Sequence, residues 1–261
     1  MEETIAILMC YATRRLFTTL NRYAKPVSKG DIIALDEDDI VAIVTRSLVD
    51  KYPLFRNCVA VSMSKNLKTS DVENLTSIVG LYDALNFYLA SESGSKWTRF
   101  KRFRPPDDEI KVFYDSSCKL FDLMTEKFDE LQRFSKDPNK KSRAKPFRHE
   151  GGGNLLFRPI GLEVVIKVIT LMARVFNLEE AIKRTSYAPL ELSEEPWVGL
   201  LWEQETERMI TANKGVAEKL LYYSLTGDLS PYRTWNDARL RKELAGKLNI
   251  DPKKVQLQRF S

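Results

Sequence analysis

Basic and aromatic residues alternate in one short segment of the chain, from Lys96 to Arg104. The segment reads KWTRFKRFR, so five cations are interleaved with three aromatic rings. Cations neutralise nucleic-acid phosphates and aromatic rings stack on bases, so the pattern is typical of a nucleic-acid interface. A second interpretation stays open, in which the rings pack against the edge of the core and the cations are only solvated. The residues predicted to contact nucleic acid here are Lys96, Trp97, Arg99, Lys101, Arg102 and Arg104.

A second basic segment, SKDPNKKSRAKPFRHEGGGN, covers residues 135–154. Its two prolines and three consecutive glycines predict a connection between elements, either mobile or electropositive and functional. The predicted phosphate contacts are Lys140, Lys141, Arg143, Lys145 and Arg148. His149 is the only histidine, which excludes a site with several histidine ligands, and no triad is supported because no positioned Ser or Cys nucleophile accompanies it. The glycine run is not a Walker A motif, since no Gly-Lys-Ser/Thr follows it.

A third group of polar residues follows the first predicted helix. Asn21, Arg22, Lys25, Ser28 and Asp31 lie on a stretch that Pro26 and Gly30 mark as a loop. Loops held by a rigid helix often present binding groups, although an ordinary solvated turn is the alternative. The acids at 36–39 suit the positive end of the helix that follows, with Asp36 as the predicted N-cap, so we predict no metal site.

The elements that would position these residues are mainly helical. Apolar periodicity and capping signals, such as Ser70 with Glu73, predict a mainly α bundle of about eight helices. One or two short strands are expected near 32–35 and 59–63. The predicted helices cover residues 3–23, 36–52, 70–90, 107–134, 159–172, 177–185, 213–226 and 234–248.

Composition describes an ordinary globular chain of 261 residues, with 43% hydrophobic and 30% charged residues and a net charge of +5. We predict a single mostly helical domain over residues 1–261, with a possible subdivision into 1–135 and 150–261 at the second basic segment. Three widely spaced cysteines indicate free thiols and a cytoplasmic protein. No apolar run approaches the ~20 residues of a membrane span, so no membrane association is predicted.

Several motifs resemble the helical portion of the DGQHR-domain family, the DndB-like proteins of the ParB-like superfamily. They are "RLFTTLNRYAKPVSKGD", "LDEDDIVAIVTRSLVDKYPLF", "TSDVENLTSIVGLYDALNFYL" and "GGGNLLFRPIGLEVVIKVI", and together they cover roughly Leu16 to Ile169. The DGQHR string itself does not occur in the chain. The resemblance therefore implies the helical half of such a protein, with a DGQHR-bearing partner chain or a homo-oligomer completing it.

The resemblance implies a DNA-binding regulatory or accessory component of a DNA-modification or phage-defence system. The alternative is one half of an NTP-hydrolysing module that takes ATP or GTP with Mg²⁺. The nucleotide contacts implied by resemblance are Asn21, Arg22, Lys25, Ser28, Asp31 and Arg158. No catalytic residue is assigned, and we expect no turnover by this chain alone. A structural fragment without activity is the third possibility.

Overall fold

The structure is a computed structural model that describes residues 28–62 and 64–260. Within these ranges the chain forms nine α-helices of seven or more residues, one four-residue α-helix, α4, and five short 3₁₀ helices. The helices are α1 Lys29–Leu35, α2 Ile40–Lys51, α3 Ile78–Ser93, α4 Trp97–Phe100, α5 Asp107–Lys127, α6 Asp129–Lys136, α7 Pro159–Met172, α8 Leu178–Thr185, α9 Lys214–Thr226 and α10 Asp237–Leu248.

Strands are short and occur in two pairs. β1 (Val59–Ala60) pairs in parallel with β2 (Thr76–Ser77), with Val59 opposite Thr76. β3 (Trp202–Glu203) pairs antiparallel with β4 (Arg208–Met209). The predicted mainly α bundle with a few short strands is therefore confirmed.

Helix α7 forms the centre of the bundle. Of its fourteen residues, only Glu163 and Lys167 reach the surface, and they lie one turn apart on the same face. Helices α3, α8 and α9 pack around it. Helices α3 and α7 approach each other closely, because a Cβ added to Gly80 would lie 2.5 Å from the Cβ of Pro159. Only glycine at position 80 allows the two helices to meet at this distance.

The first described helix replaces a predicted loop and strand, and the second begins later than predicted. Ser28 caps α1 by accepting a hydrogen bond from the backbone N–H of Asp31, so the strand predicted over 32–35 is wrong. Asp39, rather than Asp36, caps α2 by accepting from the N–H of Val41. Asp36 instead stabilises the turn before that cap, since its carboxylate accepts from two successive backbone N–H groups.

Two further predicted helices differ in their limits. Helix α3 starts after Ser77, whose hydroxyl accepts from the N–H of Gly80, and not at the predicted Ser70. The carboxylate of Asp71 accepts a hydrogen bond from the backbone N–H of Asn74 in a turn that precedes β2. The long helix predicted to end at 134 is interrupted at Phe128, whose backbone is extended while its ring is buried.

One contiguous cluster of buried apolar side chains runs through the described residues, from Ile33 to Val255. It includes side chains on both sides of the second basic segment, such as Leu131 and Leu162, and Phe147 within it. Within residues 28–62 and 64–260, no helix combines the length and the apolar character that crossing a bilayer requires. Cys58 and Cys118 are free thiols.

Candidate nucleic-acid interface

The first basic segment forms a tight corner between α3 and α5, which we call the basic corner (residues 96–104). Gly94 ends α3 with a positive φ of 54°, a conformation that glycine adopts without strain. Phe100 anchors the corner, because its ring is buried and meets the ring of Phe113 edge to face at 5.7 Å. Trp97 is half-buried, whereas Phe103 is 65% exposed. Phe100 thus packs against the core, as the second interpretation expects, whereas base stacking on the exposed Phe103 ring stays a prediction.

Three of the five cations in the basic corner are paired with acids. Lys96 contacts Glu109 at 3.1 Å, and Arg104 contacts Asp107 at 3.0 Å and Glu37 at 3.3 Å.

Lys101 is held more closely than the other two. Its ammonium group donates to the carboxylate of Asp39 and to the hydroxyl of Tyr82, and it lies 4.8 Å from the centre of the Tyr82 ring. These pairs offset much of the positive charge that the sequence suggested for this corner.

Arg99 and Arg102 are exposed, and neither has an acidic partner within 4 Å among the residues that the structure describes. The backbone N–H groups of Arg102 and Phe103 both donate to the carbonyl of Arg99, at 3.0 and 2.9 Å. The three residues therefore follow one another at helical i, i+3 and i+4 spacing, which places their side chains side by side. Two exposed guanidinium groups without acidic partners in the described structure and an exposed phenyl ring therefore belong to the same turn.

The second basic segment divides into exposed and buried cations. Lys140, Lys141 and Lys145 are exposed and form no ion pair with any described residue. Arg143 is 5% exposed and stacks over the Phe134 ring at 4.3 Å. Burial lowers the pKa of Arg143, whose Nε and Nη2 have no hydrogen-bond partner in the described part of the chain.

Arg148 is 1% exposed and holds two segments together. Its guanidinium donates to the carbonyls of Asp71 (2.5 Å), Asn74 (2.8 Å) and Leu75 (2.8 Å), which precede β2, and to that of Phe157 before α7. Burial lowers its pKa to about 10, below the ordinary value of 12.5. In this structure its donors face backbone carbonyls rather than solvent, so a phosphate cannot reach them.

Arg158 is also buried, at 3% exposure. It donates to the carbonyls of Gly152 and His149 and lies 4.9 Å from the centre of the Trp202 ring. Burial lowers its pKa to about 10 as well. Although Arg158 precedes the first turn of α7, its guanidinium is bonded to carbonyls of residues 149–152 and is not free to bind an anion at the start of the helix.

The described ranges contain three of the six residues implied for nucleotide binding: Ser28, Asp31 and Arg158. Asn21, Arg22 and Lys25 lie outside the described residues. Ser28 and Asp31 bond to each other, with the serine hydroxyl 2.7 Å from the carboxylate, so both are used to start α1. The structure therefore shows two of the six residues joined in a helix cap and Arg158 bonded elsewhere.

Sequence reasoning missed a chain of alternating charges on the surface of α3 and α7, which we call the charge chain. Asp83 pairs with Lys29 and Lys65, and Glu163 pairs with Lys65 and with Lys214. Burial raises the pKa of Asp83, but hydrogen bonds from the two lysines outweigh this, so its pKa is lowered overall. The five residues lie in five different segments, so no local sequence pattern marks them.

No group of three or more His, Cys, Asp or Glu side chains that could hold a metal ion occurs in the described ranges. Comparison of the chain with protein-family models, with curated proteins and with solved structures gives no match.

Proposed function

We propose that this protein binds DNA, and that the basic corner is its principal contact. The observation that carries the proposal is the turn on which Arg99, Arg102 and Phe103 lie together, exposed and without acidic partners in the described structure. Unpaired guanidinium groups are suited to phosphate oxygens because their planar fork can bond two of them at once. The exposed ring offers a surface on which an unpaired base can stack.

Lys140, Lys141 and Lys145 of the second basic segment are exposed. They add positive charge to the proposed DNA-binding surface but no fixed hydrogen-bond geometry. Lysine acts on phosphate as a mobile point charge, so these residues favour weak binding with little sequence preference. Arg143 and Arg148 contribute to the fold of this segment, since both side chains are buried.

An accessory or regulatory role in a DNA-modification or phage-defence system rests on the resemblance to the DndB-like proteins alone. A cytoplasmic setting and a DGQHR-bearing or identical partner chain are predictions of the same kind. The nucleotide half-site has less support than DNA binding, because Ser28, Asp31 and Arg158 are engaged in contacts within the chain. It stays a prediction.

The experiment compares two double variants that change the net charge equally. In Arg99→Glu/Arg102→Glu the unpaired cations of the basic corner are reversed. In the matched control, Arg233→Glu/Lys242→Glu, two cations that are also exposed and unpaired in the described structure are reversed away from the corner. Fluorescence anisotropy with a labelled duplex would give the dissociation constant over a range of salt concentrations.

We expect the corner variant to lose affinity about tenfold or more and the control to stay close to the parent. The slope of log K against log salt should also fall by about two in the corner variant, because each lost phosphate contact removes roughly 0.9 from it. Equal losses in both variants would show that net charge, and not the corner, governs binding. An unchanged corner variant would exclude the corner altogether.

A further inference from the structure

A polar cavity of about 270 Å³ lies where α3, α5 and the end of α7 meet, and no residue of the basic corner lines it. It is lined by groups that neither the sequence motifs nor the DNA proposal uses. The residues with polar groups on its wall are Tyr88, Ser91, Glu92, Ser116, Lys119, Thr170 and Arg174, and the hydroxyl of Thr170 donates to the carbonyl of Ile166 within α7.

One hydrogen bond orients the carboxylate of this cavity, which belongs to Glu92. The hydroxyl of Ser116 donates to Oε2 of Glu92 at 3.1 Å, so it accepts from the hydroxyl of Tyr88, which lies 2.7 Å away. This leaves Oε1 of Glu92 without a donor among the described residues. A positioned carboxylate oxygen at a cavity wall is an acceptor for a ligand hydroxyl group.

The two cations of the cavity have no acidic partner. Nε and Nη2 of Arg174 each lie 3.4 Å from the hydroxyl of Ser91, close to the limit of a hydrogen bond, and no carboxylate of the described residues lies within 4 Å of Arg174. Lys119 is exposed and equally unpaired within those residues. The wall therefore carries one guanidinium and one ammonium group against a single carboxylate.

We propose that this cavity binds a small phosphorylated polyol. A phosphate monoester carries about −1.5 to −2 charges at neutral pH and three acceptor oxygens, which a guanidinium and an ammonium group together can match. Glu92 and the hydroxyl groups of Ser91 and Ser116 can exchange hydrogen bonds with the hydroxyl groups of the polyol. The volume of the cavity lies just below the usual range for drug-sized ligands, roughly 300–1,000 Å³, which suits a single small molecule.

Isothermal titration calorimetry on the whole chain would test this with three probes: glucose 6-phosphate, inorganic phosphate and glucose. We expect glucose 6-phosphate to bind more tightly than either of the others. Arg174→Gln should weaken its binding by about tenfold or more, because the guanidinium supplies a charge-assisted pair of hydrogen bonds. Glu92→Gln should weaken binding of glucose 6-phosphate but not of inorganic phosphate.

The control is Arg99→Gln/Arg102→Gln, which removes two unpaired cations from the basic corner and should leave sugar-phosphate binding unchanged. Far-ultraviolet circular dichroism melts would establish that each variant is folded. The proposal is overturned if glucose 6-phosphate does not bind, if inorganic phosphate binds as tightly, or if the control loses as much affinity as Arg174→Gln. Its failure would leave the DNA proposal untouched, because the two sites share no residue.

Discussion

Arg148 shows how one side chain can hold distant parts of a chain together. A guanidinium has five N–H donors in a fixed plane, and here they face four carbonyls from two separate segments. Removing water from a cation is costly, so the arrangement depends on those hydrogen bonds being made. Arg148 therefore contributes to the position of β2 relative to the start of α7.

Arg148→Lys is expected to destabilise the protein although it keeps the charge. Lysine has three donors on a flexible stem and cannot span the same four carbonyls, so buried acceptors are left unpaired. We expect a loss of about 2–5 kcal/mol in the free energy of unfolding, measured by urea denaturation. The control Arg56→Lys, at an exposed arginine, should stay within about 0.5 kcal/mol of the parent. Equal stability of the two variants would contradict the role assigned to Arg148.

At the scale of the elements, the contact between α3 and α7 depends on Gly80. A methyl group at this position would overlap Pro159 and also lie 2.8 Å from the hydroxyl oxygen of Thr76. Since the interior is closely packed on both sides, the helices would have to move apart to accept it.

Gly80→Ala is therefore expected to lower stability by about 1–3 kcal/mol, the usual cost of overpacking. Gly246→Ala is the matched control, because Gly246 lies in α10 with no atom within 4 Å of an added Cβ. The control should be neutral or slightly stabilising, by up to about 1 kcal/mol, since alanine favours a helix over glycine. Thermal unfolding of both variants would measure the difference, and stabilisation of Gly80→Ala would show that α3 and α7 are not in close contact.

Elements with strong periodicity could be predicted from sequence, whereas their first residues could not. Helix α7 follows from its nearly continuous apolar run, and α9 from its apolar repeat up to Gly227, which has a φ of 74°. Ser70 with Glu73 has the local pattern of an N-cap, but residues 76–77 pair with β1 as a strand, and α3 starts only after Ser77. Similarly, no local sequence signal predicts that the helix ends at Phe128. The backbone of Phe128 is extended and its ring is buried in the core, which depends on tertiary packing.

The candidate site was predictable only in part, for a related reason. Sequence identifies which residues are cations but not which of them meet an acid or a carbonyl from a distant segment. Arg99 and Arg148 look alike in the sequence, yet one is exposed and the other is bonded to residues more than seventy positions away. The charge chain could not be predicted from the sequence either, because its ion pairs join residues from five distant segments.

For the whole molecule, the charge chain connects α1, α3, α7 and α9 through Lys65. Folding lowers the pKa of Asp83 below its ordinary value of 3.8. The unfolded chain therefore binds more protons than the folded chain in acid, and the stabilisation present above pH 3.8 is lost as the pH falls through the folded pKa.

Asp83→Asn should thus lower the free energy of unfolding by about 1–3 kcal/mol near neutral pH, because hydrogen bonds to a charged group are lost. The difference in the free energy of unfolding between the variant and the parent should become smaller as the pH falls below about 4, because the parent loses the same interaction there. Denaturation curves at several pH values would measure this difference in the free energy of unfolding. Asp50→Asn, at an exposed residue without an ion pair in the described structure, serves as the control and should show no such narrowing. A difference in the free energy of unfolding that stays constant with pH would contradict the stabilising role assigned to the Asp83 carboxylate.

The central position of α7 also determines when the chain can fold during synthesis. Helices α2, α3 and α5 leave the ribosome before α7 has been made, so the face of α3 that packs on α7 is still exposed to water. The nascent chain carries this apolar surface until residues 159–172 have emerged, a period in which it is open to aggregation or to chaperone binding. Cutting the chain within the second basic segment would make that state permanent, because the N-terminal piece would never receive the helix that covers it.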